Sequence, residues 1–98
     1  MITSKQRAYL RKEANTIEPI FQLGKGGITD NFIKQVDDAL EARELIKIHL
    51  LDASFLDARE TVDELAALTH AEPVQAIGSK MVLYRESKNK KRIELPTK

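Results

Sequence analysis

The sequence predicts a single α/β domain with the element order α-β-α-β-α-β-β and a four-stranded mixed sheet covered by helices. Three segments space their apolar residues three and four positions apart, as amphipathic helices do. Short runs rich in apolar β-formers lie between and after these segments. The chain has 98 residues and is 42% hydrophobic, enough for one core but not for two. Strand–helix–strand order implies a parallel pair with a right-handed crossover, and a closing hairpin adds antiparallel strands.

The first half of the chain is predicted to form two helices with a strand between them. Thr3 and Gln6 have the spacing of a capping box, and Thr29 is a good N-cap, so each site opens a helix. Pro19 stops the first helix. The predicted elements are a helix over residues 3–15, a strand over 19–23 and a helix over 29–44.

The second half is predicted to contain a strand, a helix and a hairpin. Asp57 is a candidate N-cap, and Gly78-Ser79-Lys80 separates two short β runs, as a hairpin turn does. The predicted elements are a strand over 45–51, a helix over 57–69 and strands over 74–77 and 81–85. The chain then divides into a domain over 1–86 and a basic, loosely ordered tail over 87–98. The positions predicted to be most buried are Leu10, Ile33, Val36, Leu40, Ile48, Val62, Leu65, Ile77 and Leu83.

Composition excludes several classes of protein. Without cysteine, the chain has no disulfide and no thiolate metal site, which is compatible with a reducing compartment. The first seven residues lack the apolar core of a signal peptide, and no apolar run approaches the length of a membrane span. We therefore expect a cytoplasmic monomer with no membrane partner and no cofactor.

Charge is unevenly distributed along the chain. Residues 1–34 hold six basic residues against three acidic, residues 35–73 hold three against ten, and residues 74–98 hold seven against two. Two basic ends make one positive face if the fold brings them to the same side. The acidic middle is typical of a solvated helix surface.

The most informative motif is the loop Gly24-Lys25-Gly26-Gly27-Ile28-Thr29. It connects a predicted strand to a predicted helix, whose first N–H groups point back at the loop. Glycines let another molecule approach the backbone closely, and Lys25 adds a mobile positive charge. The loop therefore predicts an anion site, most plausibly for a phosphate that reaches the N–H groups of Gly26 and Gly27.

The spacing of the glycines limits the kind of phosphate site. The loop is too short for a P-loop, and Thr29 stands where a dinucleotide fingerprint needs a third glycine. The remaining pattern is Gly-x-x-Gly, which in KH-type modules holds a nucleic-acid backbone. A plain strand-to-helix turn with a solvated lysine fits the same residues.

An enzyme is the first competing class, and the sequence does not favour it. His49 and His70 are not at metal-ligand spacing, and no cysteine completes a zinc site. The paired carboxylates of the acidic middle are predicted on outward helix faces, where water keeps a carboxyl pKa ordinary. No nucleophile elbow or kinase signature is present.

The chain resembles the CRM domain family (chloroplast RNA splicing and ribosome maturation), in its free-standing bacterial, YhbY-like form. The resemblance covers about residues 2–86 and depends on a few groups of residues. These are Lys5 with Leu10-Arg11 and Ala14, Pro19 with Leu23-Gly24-Lys25-Gly26-Gly27-Ile28-Thr29, and Gln75-Ala76-Ile77-Gly78 leading into Val82-Leu83-Tyr84-Arg85.

The resemblance implies a small RNA-binding domain, similar in topology to the C-terminal domain of bacterial translation initiation factor 3. It implies binding to structured RNA, and association with precursors of the large ribosomal subunit, hence with ribosomal RNA and possible ribosomal proteins. The Gly-x-x-Gly loop and nearby basic residues are the implied contact. The predicted RNA-binding residues are Lys5, Arg11, Lys12, Gly24, Lys25, Gly26, Gly27, Thr29, Lys80 and Arg85.

A protein–protein adaptor is the second competing class. The acidic second and third helices could meet a basic ribosomal protein, with RNA contact secondary. As the sole function this would leave the glycine loop and the basic face of the first helix unexplained. The aromatic residues favour recognition of RNA shape over base readout, because Tyr9 is the best candidate for an exposed ring and Phe55 is ambiguous.

Overall fold

Each of the three helices begins directly after the residue whose side chain caps it. The Thr3 hydroxyl accepts from the Gln6 N–H at 3.1 Å, and the Gln6 side chain accepts from the Thr3 N–H at 2.9 Å. Thr29 and Asp57 cap the other helices through the N–H groups three residues on. The three predicted caps are therefore confirmed.

The computed structural model describes residues 2–96. Its elements are α1 (Ser4–Ala14), β1 (Phe21–Leu23), α2 (Asp30–Arg43), β2 (Leu45–Leu50), α3 (Ala58–Thr69), β3 (Glu72–Ile77) and β4 (Lys80–Tyr84), with a 3₁₀ turn at Asp52–Ser54.

The four strands form one mixed sheet in the order β1-β2-β4-β3. β1 pairs with β2 in parallel, with Leu23 opposite Leu50. β4 pairs antiparallel with β2 and with β3, and a bulge interrupts the second pairing between Pro73 and Gln75. The predicted fold class and element order are confirmed. Strands β1, β3 and β4 start one or two residues away from the predicted positions, and β2 and β4 each end one residue earlier than predicted.

The helices cover the two faces of the sheet unequally. Ile46, Ile48 and Leu50 alternate along β2 and pack with α2 and α3 in one core cluster. Leu45 lies on the opposite face and packs with α1 in a smaller cluster. The larger cluster contains Leu23, Val36, Leu40, Ile46, Ile48, Leu50, Val62, Leu65, Ala66, Met81 and Leu83, and the smaller one contains Leu10, Ala14, Leu45, Val74, Val82 and Tyr84.

Two of the nine predicted core positions are not buried. Ile77 is 64% exposed, because it ends β3 next to the hairpin turn, beyond the cover of any helix. Ile33 is half-buried in the first turn of α2. The periodicity of an element identifies its inward face but not how far the neighbouring elements extend along it.

Residues 87–96 contain no helix or strand, yet they are held against the domain by the carboxylate of Glu44. This carboxylate is fully buried and accepts from the N–H groups of Ser87, Arg92 and Ile93 at 2.6–2.7 Å. Ile93 and Leu95 pack on the smaller core cluster. These contacts differ from the predicted loose tail, although the division at residues 86 and 87 stays a prediction. Met1, Thr97 and Lys98, which belong to the predicted ranges 1–86 and 87–98, lie outside the described residues.

The backbone of Glu44 supports this structural role. Its φ of 69° and ψ of −45° are sparsely populated for a residue with a side chain, and they cost about 1–3 kcal/mol. The buried carboxylate offsets this cost because it receives three N–H groups that would otherwise lack partners. Glu41 assists from the previous turn, where it accepts from the Ser87 hydroxyl at 2.7 Å and from the N–H groups of Lys88 and Asn89.

We expect this arrangement to make the protein less stable in acid. Burial alone would raise the pKa of Glu44, but the three N–H donors and the charge of Lys91 outweigh it, so the pKa is lowered. The Ser87 hydroxyl and two N–H groups likewise lower the pKa of Glu41. A carboxyl whose folded pKa is below its unfolded pKa stabilises the fold above the unfolded value, near 4.3. That stability is lost as the pH falls through the lowered folded values.

Thermal unfolding followed by circular dichroism between about pH 6 and pH 3 measures this loss. Glu44→Gln should melt at a lower temperature at pH 6, since an amide cannot accept three N–H groups, and its melting temperature should vary less with pH. A variant with the wild-type melting temperature and pH dependence would show that Glu44 does not hold the tail segment.

Candidate nucleic-acid interface

The glycine loop leaves the end of β1 through a tight turn. The Gly27 N–H donates to the Gly24 carbonyl at 3.0 Å, which places Lys25 and Gly26 at the exposed tip. The Gly27 N–H is thus used within the turn, which leaves it less available to a phosphate than the sequence predicts. The Gly26 N–H has no acceptor within residues 2–96 and is available to an anion.

The three glycines of the loop serve different purposes. A Cβ at Gly24 would lie 3.3 Å from Cδ1 of Leu51, so Gly24 allows the loop to pack closely on the end of β2. Gly27 has a φ of 66°, where side chains are strained. Gly26 has neither constraint, because its φ is not in the left-handed region and nothing lies within 4 Å of a Cβ added there. The fold therefore does not require glycine at position 26, and the backbone there is open to another molecule.

The loop leads directly into the N-terminus of α2. The Thr29 hydroxyl accepts from the Phe32 N–H at 3.1 Å, and the Thr29 carbonyl accepts from the Ile33 N–H at 3.0 Å. Thr29 therefore orients the first turn, whose remaining N–H groups carry the positive end of the helix dipole. Asp30, also in this turn, carries a negative charge and partly opposes an anion there.

Three connections meet at one end of the sheet, which we call the loop end (residues 24–29, 51–57 and 78–80). The Leu51 N–H donates to the Leu23 carbonyl at 2.9 Å, which joins the glycine loop to the segment after β2. The Leu50 N–H donates to the Ser79 carbonyl at 2.7 Å, which joins that segment to the β3–β4 turn. These backbone bonds bring the predicted site residue Lys80 to the same end as Lys25.

Five of the six predicted basic site residues are exposed and, within residues 2–96, none of these five is in an ion pair. Two of them, Lys25 and Lys80, lie at the loop end. The other three lie on α1, which packs over the half of the sheet near Leu45 and Tyr84, away from the loop end. They are Lys5, Arg11 and Lys12.

Arg85 is engaged inside the fold instead. Its guanidinium binds the Asp37 carboxylate, the Asp37 carbonyl and, at 2.8 Å, the Thr69 carbonyl. The side chain is 20% exposed and follows β4 at the end of the sheet opposite the glycine loop. Arg85 joins the end of β4 to the middle of α2 and the end of α3, so we leave it out of the proposed RNA surface. The sequence around Arg85 does not indicate these partners, because they lie far from it along the chain.

Two further polar side chains, on β2, lie on the sheet between the loop end and α1. Lys47 and His49 alternate with the buried isoleucines of β2, so they point to the face that α1 covers only in part. His49 lies opposite both Gln22 and Lys80 in the sheet register. The strand order is what brings His49 next to β1 and β4 near the loop end.

The acidic residues of α2 and α3 are largely used within the domain. Asp38 pairs with Lys34 and Asp63 pairs with Arg59, both at i,i+4 spacing. Asp37 holds Arg85, while Glu41 and Glu44 hold the tail segment. These partners reduce the negative charge that the helices can offer to another protein.

Two other kinds of site, a metal cluster and a membrane-spanning helix, are absent among the described residues. Among residues 2–96, no three histidine, cysteine or carboxylate side chains are grouped so as to hold a metal ion. None of the helices in the same range combines the length and the apolar character needed to cross a membrane.

Comparison with known proteins gives consistent results. The family model described as the CRS1 / YhbY (CRM) domain matches residues 2–85. The chain is 49% identical over 96 residues to a Bacillus subtilis protein named "Probable RNA-binding protein YqeI", covering 98% of this chain and all of that protein. It is 33% identical over 97 residues to a Haemophilus influenzae protein named "RNA-binding protein", covering 99% and 97%.

A solved structure shows the same fold in a relative. The solution structure of SAV1595 from Staphylococcus aureus, described as a candidate RNA-binding protein, has a TM-score of 0.78 and 53% sequence identity. The match covers 98% of this chain and 100% of that one. The implied likeness to the C-terminal domain of translation initiation factor 3 stays a prediction.

Proposed function

The chain belongs to the CRS1 / YhbY (CRM) domain family, and on that premise we propose that it binds structured RNA through the loop end of its sheet. The observation that carries the proposal is the open backbone at Gly26, where nothing fills the space of a Cβ and the N–H has no acceptor within residues 2–96. Lys25 is next to this opening, Lys80 lies at the same end of the sheet at the start of β4, and neither has an ion-pair partner in the described chain. A phosphate fits such a concentration of N–H and ammonium donors.

The binding surface we propose extends from the glycine loop over the open half of the sheet to α1. Lys47 and His49 lie between the loop end and the exposed cations of α1, among them Arg11. A surface of this breadth, with cations spaced along it, suits the phosphates of a folded RNA better than a single mononucleotide. We expect affinity to depend chiefly on the RNA backbone and its shape.

We further propose that the natural RNA is ribosomal RNA in cytoplasmic precursors of the large ribosomal subunit. This follows from the family resemblance. Sedimentation of a lysate at low magnesium, followed by crosslinking and sequencing of the bound RNA, tests it. Recovery of large-subunit RNA from particles lighter than the mature subunit would support the proposal, and recovery of messenger or transfer RNA alone would contradict it.

RNA affinity should decrease steeply with salt if phosphate contacts dominate. The logarithm of the association constant should fall with the logarithm of salt concentration by roughly 0.7 to 0.9 for each phosphate contact. Lys25→Ala and Lys80→Ala should each reduce that slope by about one and weaken binding to unrelated RNAs equally. Fluorescence anisotropy with a labelled stem-loop at several salt concentrations measures the slope.

Lys34→Ala is the matched control for these lysine variants. It removes the same charge, but Lys34 already pairs with Asp38 at 3.5 Å, so its removal should change the slope less. Equal changes for Lys34, Lys25 and Lys80 would show that only net charge matters. No binding to protein-free RNA at low salt would favour the adaptor alternative, in which the protein contacts ribosomal proteins and RNA contact is secondary.

A further inference from the structure

The ring of Phe55 is 93% exposed. It follows the 3₁₀ turn at the loop end, and its neighbour Leu56 is also exposed, at 42%. Four large apolar side chains are exposed within residues 2–96, and only Leu68 is far from this end, because it lies in the last turn of α3. Ile77 immediately precedes the β3–β4 turn. Exposed apolar groups of this size, concentrated at one end of a small domain, indicate a contact surface.

The fold does not need phenylalanine at position 55. The backbone there is left-handed, with φ 58° and ψ 22°, a conformation that glycine and asparagine adopt far more readily than a bulky residue. The ring buries almost no surface, so hydrophobic stabilisation does not explain it either. Tyr9, by contrast, is half-buried against the smaller core cluster and is less suited to contact RNA bases than expected.

Backbone hydrogen bonds hold Phe55 beside the glycine loop. The Phe55 N–H donates to the Asp52 carbonyl at 3.1 Å, and the Ser54 N–H donates to the Leu51 carbonyl at 3.0 Å. Leu51 itself is bonded to the Leu23 carbonyl and lies against Gly24. The turn that presents the ring is therefore joined through Leu51 to Leu23, the residue before the glycine loop.

We propose that Phe55 is a stacking surface for one unpaired RNA base, next to the phosphate held at Gly26. The inference rests on the proposed function and narrows the RNA class to folded RNA in which an unpaired nucleotide adjoins a helix. The carboxylates of Asp52 and Asp57 lie on either side of Phe55 in the chain and disfavour a phosphate at this point. A base, which is uncharged and flat, suits the ring better than the backbone does.

A tryptophan at this position gives a direct test, because the chain contains no other tryptophan. Phe55→Trp keeps an aromatic surface, and its fluorescence reports the surroundings of residue 55 alone. We expect a stem-loop with one bulged nucleotide to quench this fluorescence strongly. A stem-loop of the same sequence with the bulge deleted, or with an abasic site at the bulge, should quench it little. Equal quenching by all three RNAs, or none by any, would overturn the proposal.

Affinity measurements separate stacking from apolar contact in general. Phe55→Ala should weaken binding of the bulged stem-loop about tenfold, within the range for one stacked base. It should not change the salt slope, because no phosphate contact is removed. Phe55→Leu keeps an apolar side chain without a ring and should behave like Phe55→Ala, whereas Phe55→Trp should bind like the parent. An unchanged affinity of Phe55→Ala would overturn the proposal.

The outcomes for Phe55 and for the glycine loop are distinguishable. If Gly26→Asp loses RNA and Phe55→Ala does not, the proposed function stands and the stacking role is wrong. Association of the wild-type chain into dimers that Phe55→Ala abolishes, measured by sedimentation without RNA, would assign the ring to a second copy and contradict stacking. If the parent protein binds none of the RNAs, the proposed function itself fails.

Discussion

Replacing Gly26 with aspartate is expected to lower RNA affinity at least about tenfold, equivalent to about 1.4 kcal/mol, and to leave the protein folded. The aspartate would fill the space through which a phosphate approaches the backbone and would place a negative charge there. Stability should change by only about 1 kcal/mol, because Gly26 does not have positive φ and a Cβ there contacts nothing within 4 Å. Anisotropy titrations with a stem-loop, beside thermal melts of both proteins, measure the two effects.

Two variants control this result. Gly26→Ala adds bulk without charge and should lose less affinity than Gly26→Asp. Ala67→Asp adds the same charge at an exposed position in the last turn of α3, far from the loop end, and should bind nearly like the parent. If Ala67→Asp weakens binding as much as Gly26→Asp, the effect is one of net charge. If Gly26→Asp binds like the parent, the glycine loop is only a turn.

Truncation of Leu65 to alanine is expected to destabilise the fold by about 2–5 kcal/mol. Leu65 is fully buried, where α3 packs on the larger core cluster. Small domains have about 5–15 kcal/mol of total stability, so this single change removes a large part of it. Urea unfolding followed by circular dichroism measures the loss. RNA binding should persist under conditions in which the variant is still folded.

Leu68→Ala is the matched control, because it removes the same atoms from the same helix at a position that is 46% exposed. Leu68→Ala should lower the free energy of unfolding by only about 0.5 kcal/mol. Equal losses for Leu65 and Leu68 would show that α3 does not pack on the sheet by the face described. A folded Leu65→Ala protein that fails to bind RNA would give Leu65 a role other than packing.

Local features of the fold could be predicted from the sequence because their causes lie within a few residues. The N-caps at Thr3, Thr29 and Asp57 depend on N–H groups three residues away. The strand order could not be predicted, since it depends on which long-range pairings bury more surface. The contacts of Glu44 with residues 87–93 join segments more than forty residues apart, and nothing near Glu44 in the sequence indicates them.

In the candidate site, too, some features could be predicted from neighbouring residues and others depend on the tertiary structure. The chemistry of the glycine loop is visible in the sequence, because glycines, a lysine and an N-cap threonine are adjacent. The use of the Gly27 N–H inside the turn depends on φ and ψ angles that the residue types alone leave open. The engagement of Arg85 with Asp37, and the position of Phe55 beside the loop, result from tertiary packing. Lys80 and the residues of α1 remain predicted contacts.

The most direct test of the proposed function is a nuclear magnetic resonance titration of the isotope-labelled protein with an unlabelled RNA stem-loop. Each backbone N–H except that of proline gives its own signal, so the experiment locates the RNA on the chain without any mutation. We predict the largest shifts at Lys25, Gly26 and Ile28, with further shifts at residues 78–80 and smaller ones along the exposed side of α1. Shifts confined to the acidic surfaces of α2 and α3, with the signals of the glycine loop unmoved, would contradict the proposed interface.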